Sequence, residues 1–135
     1  MKKIIINDGI TESGFLTVSL RSILQALEKS VDEFYWQICG VAEYGCQFEV
    51  VGKAAPDFER LKRDKTKLDT EKLRALCKRE HQLIWAELCG HQQSETIPSV
   101  VIRAIDSSWF DVSTDNEAVI DNLKIAFKYT QIVES

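Results

Sequence analysis

The chain has 135 residues, 44% of them hydrophobic and 28% charged, a composition that fits one globular core and excludes disordered, collagen-like and low-complexity chains. Seventeen Lys and Arg stand against 21 Asp and Glu, for a formal charge of −4. That is the wrong sign for a protein that coats nucleic acid, and it offers little attraction to an anionic membrane.

Ile4, Ile5 and Ile6 form a β-branched run that reads as a buried strand ended by the turn-forming cluster Asn7-Asp8-Gly9. The same polar cluster interrupts the run before a secretion signal could form, and no stretch reaches the roughly 18 apolar residues that cross a bilayer. A cytoplasmic protein without membrane contact is expected, with Cys39, Cys46, Cys77 and Cys89 kept as free thiols. From Thr17, Leu20, Ile23, Leu24 and Leu27 fall at i, i+3, i+4 and i+7, the stripe of a helix ending near Lys29.

Residues 34–43 and 47–51 are rich in aromatic and β-branched residues. Tyr44-Gly45-Cys46 between them suggests a hairpin loop. Pro56 suits a first helical turn, Asp57 and Glu59 complement the positive end of its dipole, and Phe58 and Leu61 supply apolar contacts. Asp69 or Thr70 can cap a further helix carrying Leu73, Leu76 and Cys77 and stopping near Glu80. Residues 82–91, 99–106 and 108–113 read as three consecutive antiparallel strands. Thr114-Asp115-Asn116-Glu117 then matches a capping box ahead of Val119, Ile120, Leu123, Ala126 and Phe127 at helical spacing. The order predicts a single α+β domain over residues 1–135, a mostly antiparallel sheet packed by α-helices.

Candidate chemistry is sparse. Cys77-x3-His81 and Cys89-x-His91 place four zinc-type ligands within fifteen residues, the basis for a metal- or thiol-dependent enzyme or regulator. The spacing lacks a Cys-x2-Cys knuckle, and neither a Gly-x-Ser-x-Gly elbow nor a phosphate loop is present. The favoured expectation is therefore no enzyme, no metal and no cofactor, with Cys77 and Cys89 as small core residues. Trp36 and Trp85 are expected in the core. Adjacent Trp109 and Phe110 must point to opposite faces of a strand, so either one is exposed to a partner or helices cover both faces.

The net charge hides an uneven distribution. Residues 57–79 hold nine basic and five acidic side chains, leaving eight basic and sixteen acidic elsewhere. The chain is thus an acidic body with one basic arm, whose interspersed acids favour a solvated helical face over direct nucleic-acid binding. Acidic surface of this density speeds encounter with a basic partner.

The segment Ile105-Asp106-Ser107-Ser108-Trp109-Phe110-Asp111-Val112, leading into Thr114-Asp115-Asn116-Glu117 and Leu123-Lys124-Ile125-Ala126-Phe127-Lys128, resembles the ending of small bacterial toxin-immunity proteins. These include immunity proteins of contact-dependent growth inhibition systems. The resemblance covers the last thirty residues and implies a short final strand at 131–134. It also implies a non-enzymatic cytoplasmic inhibitor that occludes the active site of one cognate toxin domain, frequently a nuclease. On that reading Asp106, Trp109, Asp111 and Asp115 contact the partner, with Glu43 and Tyr44 as a second patch. Aromatics would anchor and acids would steer.

Overall fold

The computed structural model describes residues 1–7 and 18–134. In chain order it contains β1 (Lys2–Ile6), α1 (Leu20–Leu27), β2 (Tyr35–Cys39), β3 (Glu49–Val51), α2 (Ala55–Arg63), β4 (Leu68–Asp69), α3 (Thr70–Cys77), β5 (Gln82–His91), β6 (Val100–Ile105), β7 (Trp109–Thr114), α4 (Glu117–Ala126) and β8 (Thr130–Glu134). Short 3-10 turns follow α1 and β2. The expected α+β architecture is what the chain adopts: one antiparallel sheet in the order β4-β2-β5-β6-β7-β1-β8, with β3 also paired to β5. The turn at Asp8-Gly9 and the helix start at Thr17 lie outside the described residues.

α1 shows why its sequence makes a helix here. Ser19 Oγ accepts from the Ser22 N–H at 3.2 Å, and Ser22 Oγ accepts from the Ser19 N–H at 2.9 Å, so each satisfies an orphan donor. Leu20, Ile23, Leu24 and Leu27 are all buried against the sheet-facing core, each worth about 1.5–3 kcal/mol relative to exposure. α3 and α4 contact α1 and the sheet in the same layer. Asp69 caps α3, accepting from the Lys72 N–H at 2.8 Å. The neighbouring Thr70 is buried instead and accepts from Trp36 Nε1 at 2.8 Å while donating to the Val31 carbonyl. That bridge ties β2, the turn after α1 and the start of α3 together.

Side-chain alternation divides the sheet into two faces. Ile4, Ile6, Trp36, Ala86, Leu88, Ile102, Ala104, Phe110 and Val112 belong to the buried core that the helices cover. The opposite, open face, on the side away from the helices of the described residues, carries Cys39, Trp85, Glu87, Cys89, Val101, Arg103, Trp109 and Asp111.

Three local expectations are corrected. Segments 34–43 and 47–51 do not form a hairpin: β2 pairs with residues 87–91 of β5 and β3 with residues 82–85, end to end along the same edge. The ten-residue β5 is long enough to accept both, and the chain between them doubles back on itself through a Val41–Cys46 bridge. Gly40 permits this, since a Cβ there would sit 2.7 Å from the Cys46 carbonyl oxygen. The cap of α4 is Asn116, whose Oδ1 accepts from the Ala118 N–H at 2.9 Å. Thr114 is instead buried in β7 and donates to the Ser99 carbonyl at 2.9 Å, being held by the sheet. Finally, Trp85 lies half-buried on the open face, whereas Trp36 is in the core as expected.

Candidate functional site: the open sheet face

Register places Cys39, Glu87, Arg103, Asp111, Ile5 and Gln131 side by side across six strands. At the centre of this row Arg103, 5% exposed, meets Asp111, 2% exposed. Arg103 Nε donates to Asp111 Oδ1 and Nη2 to Oδ2, both at 2.9 Å, a bidentate fork. Its remaining Nη1 donates to Glu43 Oε2. The guanidinium also lies 5.7 Å from the Tyr44 ring centre, and that ring is 5.9 Å from Trp85.

Arg103 therefore fastens the excursion between β2 and β3 onto the sheet. Hydrogen bonding to Asp111, reinforced by Glu43, keeps Arg103 charged despite its burial. In return the Arg103 guanidinium holds the Glu43 carboxyl below its ordinary range.

The residues expected to contact a partner separate into three groups. Glu43 (side chain 60% exposed) and Tyr44 (48%) project from this patch. Trp109 is half-buried on the same strand face as Asp111, while its neighbour Phe110 is in the core. Asp106 is exposed at the tip of the β6–β7 hairpin, where it and Ser107 adopt φ of 50° and 56°. Asp111, by contrast, is buried and engaged with this chain's own Arg103, so it orients the patch without presenting a free carboxylate. Asp115 lies at the far end of β7, 3.3 Å from the amino terminus, and is not brought to the patch.

The Cys77, His81, Cys89 and His91 set is likewise not gathered. Cys77 is in the core on α3, and burial pushes its thiol up to about 12. His81 immediately precedes β5, its Nδ1 2.8 Å from the Arg79 carbonyl and its ring tilted against Phe58. Together with Ser107 it lines a cavity of about 210 Å³ beside the start of α1. Cys89 and His91 do share the open face, but His91 stacks on Tyr35 at 4.8 Å.

What the register brings together instead is Cys39, Glu87 and Cys89. Among the described residues they are the set of three ligand-bearing side chains whose donor atoms all lie within 4.8 Å of one another. The sequence alone identifies Cys39 only as a thiol, because its proximity to Cys89 depends on the pairing of β2 with β5. All four cysteines are free.

The chain matches no protein family, no curated protein and no solved structure. Among the described residues no helix is long and apolar enough to cross a membrane.

Proposed function

We propose that this chain is a toxin-immunity protein: a cytoplasmic binding module that holds one cognate toxin domain and denies its basic active site to substrate. The observation that supports this reading is the patch that Glu43 and Tyr44 form on the buried Arg103–Asp111 pair, with Trp109 half-buried on the same strand face as Asp111 and Asp106 exposed at the tip of the β6–β7 hairpin. In this patch Arg103 is matched by two carboxylates, so the surface stays acidic while its geometry is fixed in advance. A pre-ordered patch loses less side-chain freedom on binding. Its acids would take the place of phosphate on a nuclease's Arg and Lys residues, and Tyr44 and Trp109 would supply the apolar anchors.

The test is genetic and then biophysical. The adjacent reading frame is expected to encode a secreted protein whose C-terminal domain arrests growth alone and is harmless when this chain is co-expressed. Glu43→Gln with Asp106→Asn removes two charges with little change of shape, and Asn tolerates the positive φ at 106. This variant is expected to fold normally, to associate at least tenfold more slowly at low salt and to protect poorly, while Asp115→Asn protects fully. An adjacent frame with no toxic domain, or protection indifferent to the Glu43 and Asp106 changes, overturns the reading.

A further inference from the structure

Glu87 stands directly opposite Arg103 across β5 and β6, yet Arg103 gives its guanidinium to Asp111 and Glu43. The Glu87 carboxylate turns the other way, toward two thiols: Oε2 is 3.8 Å from Cys39 Sγ and 3.9 Å from Cys89 Sγ. We propose that Cys39, Glu87 and Cys89 form a three-ligand site on the open sheet face for a thiophilic divalent cation of the zinc type.

The spacing is close to what such an ion requires. With Zn–S near 2.3 Å and Zn–O near 2.1 Å, a tetrahedral arrangement separates sulfur from oxygen by about 3.6 Å and the two sulfurs by about 3.8 Å. The observed sulfur-to-oxygen distances exceed that by only about 0.2–0.3 Å, within reach of small side-chain rotations. The two cysteines come from neighbouring strands, Cys39 opposite Glu87 and Cys89 opposite Gln37, so the sheet fixes all three ligands. Three protein ligands leave a fourth position for water or for a group from a partner.

A bound dication would supply the charge that keeps both thiols deprotonated. Two thiolates, one carboxylate and a dication sum to a single negative charge, and binding releases the thiol protons to solvent.

The experiment titrates the reduced full-length chain with Co²⁺ alone and follows its absorption. One equivalent is expected to bind, with intense tetrahedral ligand-field bands and a near-ultraviolet thiolate-to-cobalt transition, both erased by added Zn²⁺. Cys39→Ser and Cys89→Ser should each remove the charge-transfer band, Glu87→Gln should weaken binding at least tenfold, and Cys46→Ser should change nothing. Far-ultraviolet circular dichroism checks that each variant is folded. Should Cys89→Ser fail to fold, Cys39→Ser and Glu87→Gln, both at half-buried positions, still decide the matter. A wild-type chain without the charge-transfer band, a band that survives Cys39→Ser, or a Glu87→Gln variant that binds Co²⁺ as tightly as the wild type overturns the site.

Discussion

Arg103 and Asp111 face each other across β6 and β7 and join through two hydrogen bonds of 2.9 Å, with both residues buried. The pair sits on the sheet face opposite the helices, where it replaces the apolar contact that neighbouring strands make on the core face. Its effect is organisational, because the third guanidinium nitrogen carries Glu43 and with it the whole excursion between β2 and β3. The acidic patch is thereby built from the inside, around one buried cation.

Breaking that pair from one side should be severe. Asp111→Ala leaves Arg103 buried with only Glu43 to balance it, and loss of one partner of a buried ion pair typically costs about 3–5 kcal/mol. Urea denaturation should show the midpoint falling accordingly. Arg103→Met with Asp111→Leu should recover most of the loss, since an apolar pair of similar volume avoids the uncompensated charge. It should also free residues 42–44, so protection from the partner toxin would not recover with stability. Equal losses in the single and double variants would show that the pair is not the source.

Thr70 offers a sharper local test. It accepts from Trp36 Nε1 and donates to the Val31 carbonyl, all within the core. Thr70→Val preserves shape but leaves the indole N–H without its partner and takes one of two hydrogen bonds from the Val31 carbonyl, which still accepts from the Phe34 N–H, a loss of about 1–3 kcal/mol. Chemical denaturation measures it, and the Trp36 indole proton should exchange faster in the variant. Unchanged stability would mean that water replaces the hydroxyl.

The helices were legible because burial follows the 3.6-residue period: the α1 stripe of Leu20, Ile23, Leu24 and Leu27 is the buried face of that helix. The β5–β6–β7 meander was legible for the same kind of reason, through short β-rich runs with turn residues between them. Pairing across a sheet was not. Nothing local in residues 34–51 distinguishes two strands that pair with each other from two that share a third. Asp111 looked like a surface acid because it neighbours Trp109 and Phe110. The overlooked signal was Arg103, one cation inside the apolar run Val101-Ile102-Arg103-Ala104-Ile105, which needs an anion on its own face. The Cys39–Glu87–Cys89 cluster had no such signal, as it exists only in the register of β2 against β5.

Gly90 is a position where the core admits no side chain. It faces Trp36 across β2 and β5, and a Cβ there would lie 2.7 Å from two carbons of the indole ring. Gly90→Ala must displace the ring, so overpacking is compounded by strain on the Trp36–Thr70 hydrogen bond, with an expected loss of about 1–3 kcal/mol. Near-ultraviolet circular dichroism should register the displaced indole, and a native-like spectrum with unchanged stability would refute the close approach.

Mild acid should loosen the protein through two carboxylates whose pKa is depressed in the fold. Arg103 lowers Glu43 from an ordinary 4.5, and Arg79 lowers Asp57 from an ordinary 3.8. Between each folded-state pKa and its ordinary value the unfolded chain binds more protons than the folded one, so stability rises with pH through that window. The contribution is complete above the ordinary values and disappears as pH falls through the folded-state ones. Thermal midpoints recorded from about pH 7 down to about pH 3 should therefore fall more steeply for the natural chain than for Glu43→Gln with Asp57→Asn. The two curves should approach each other toward the acid end, as the folded-state carboxyls take up their protons. Parallel curves over the whole range would show that these ion pairs, both at the surface, are too well screened to affect folding.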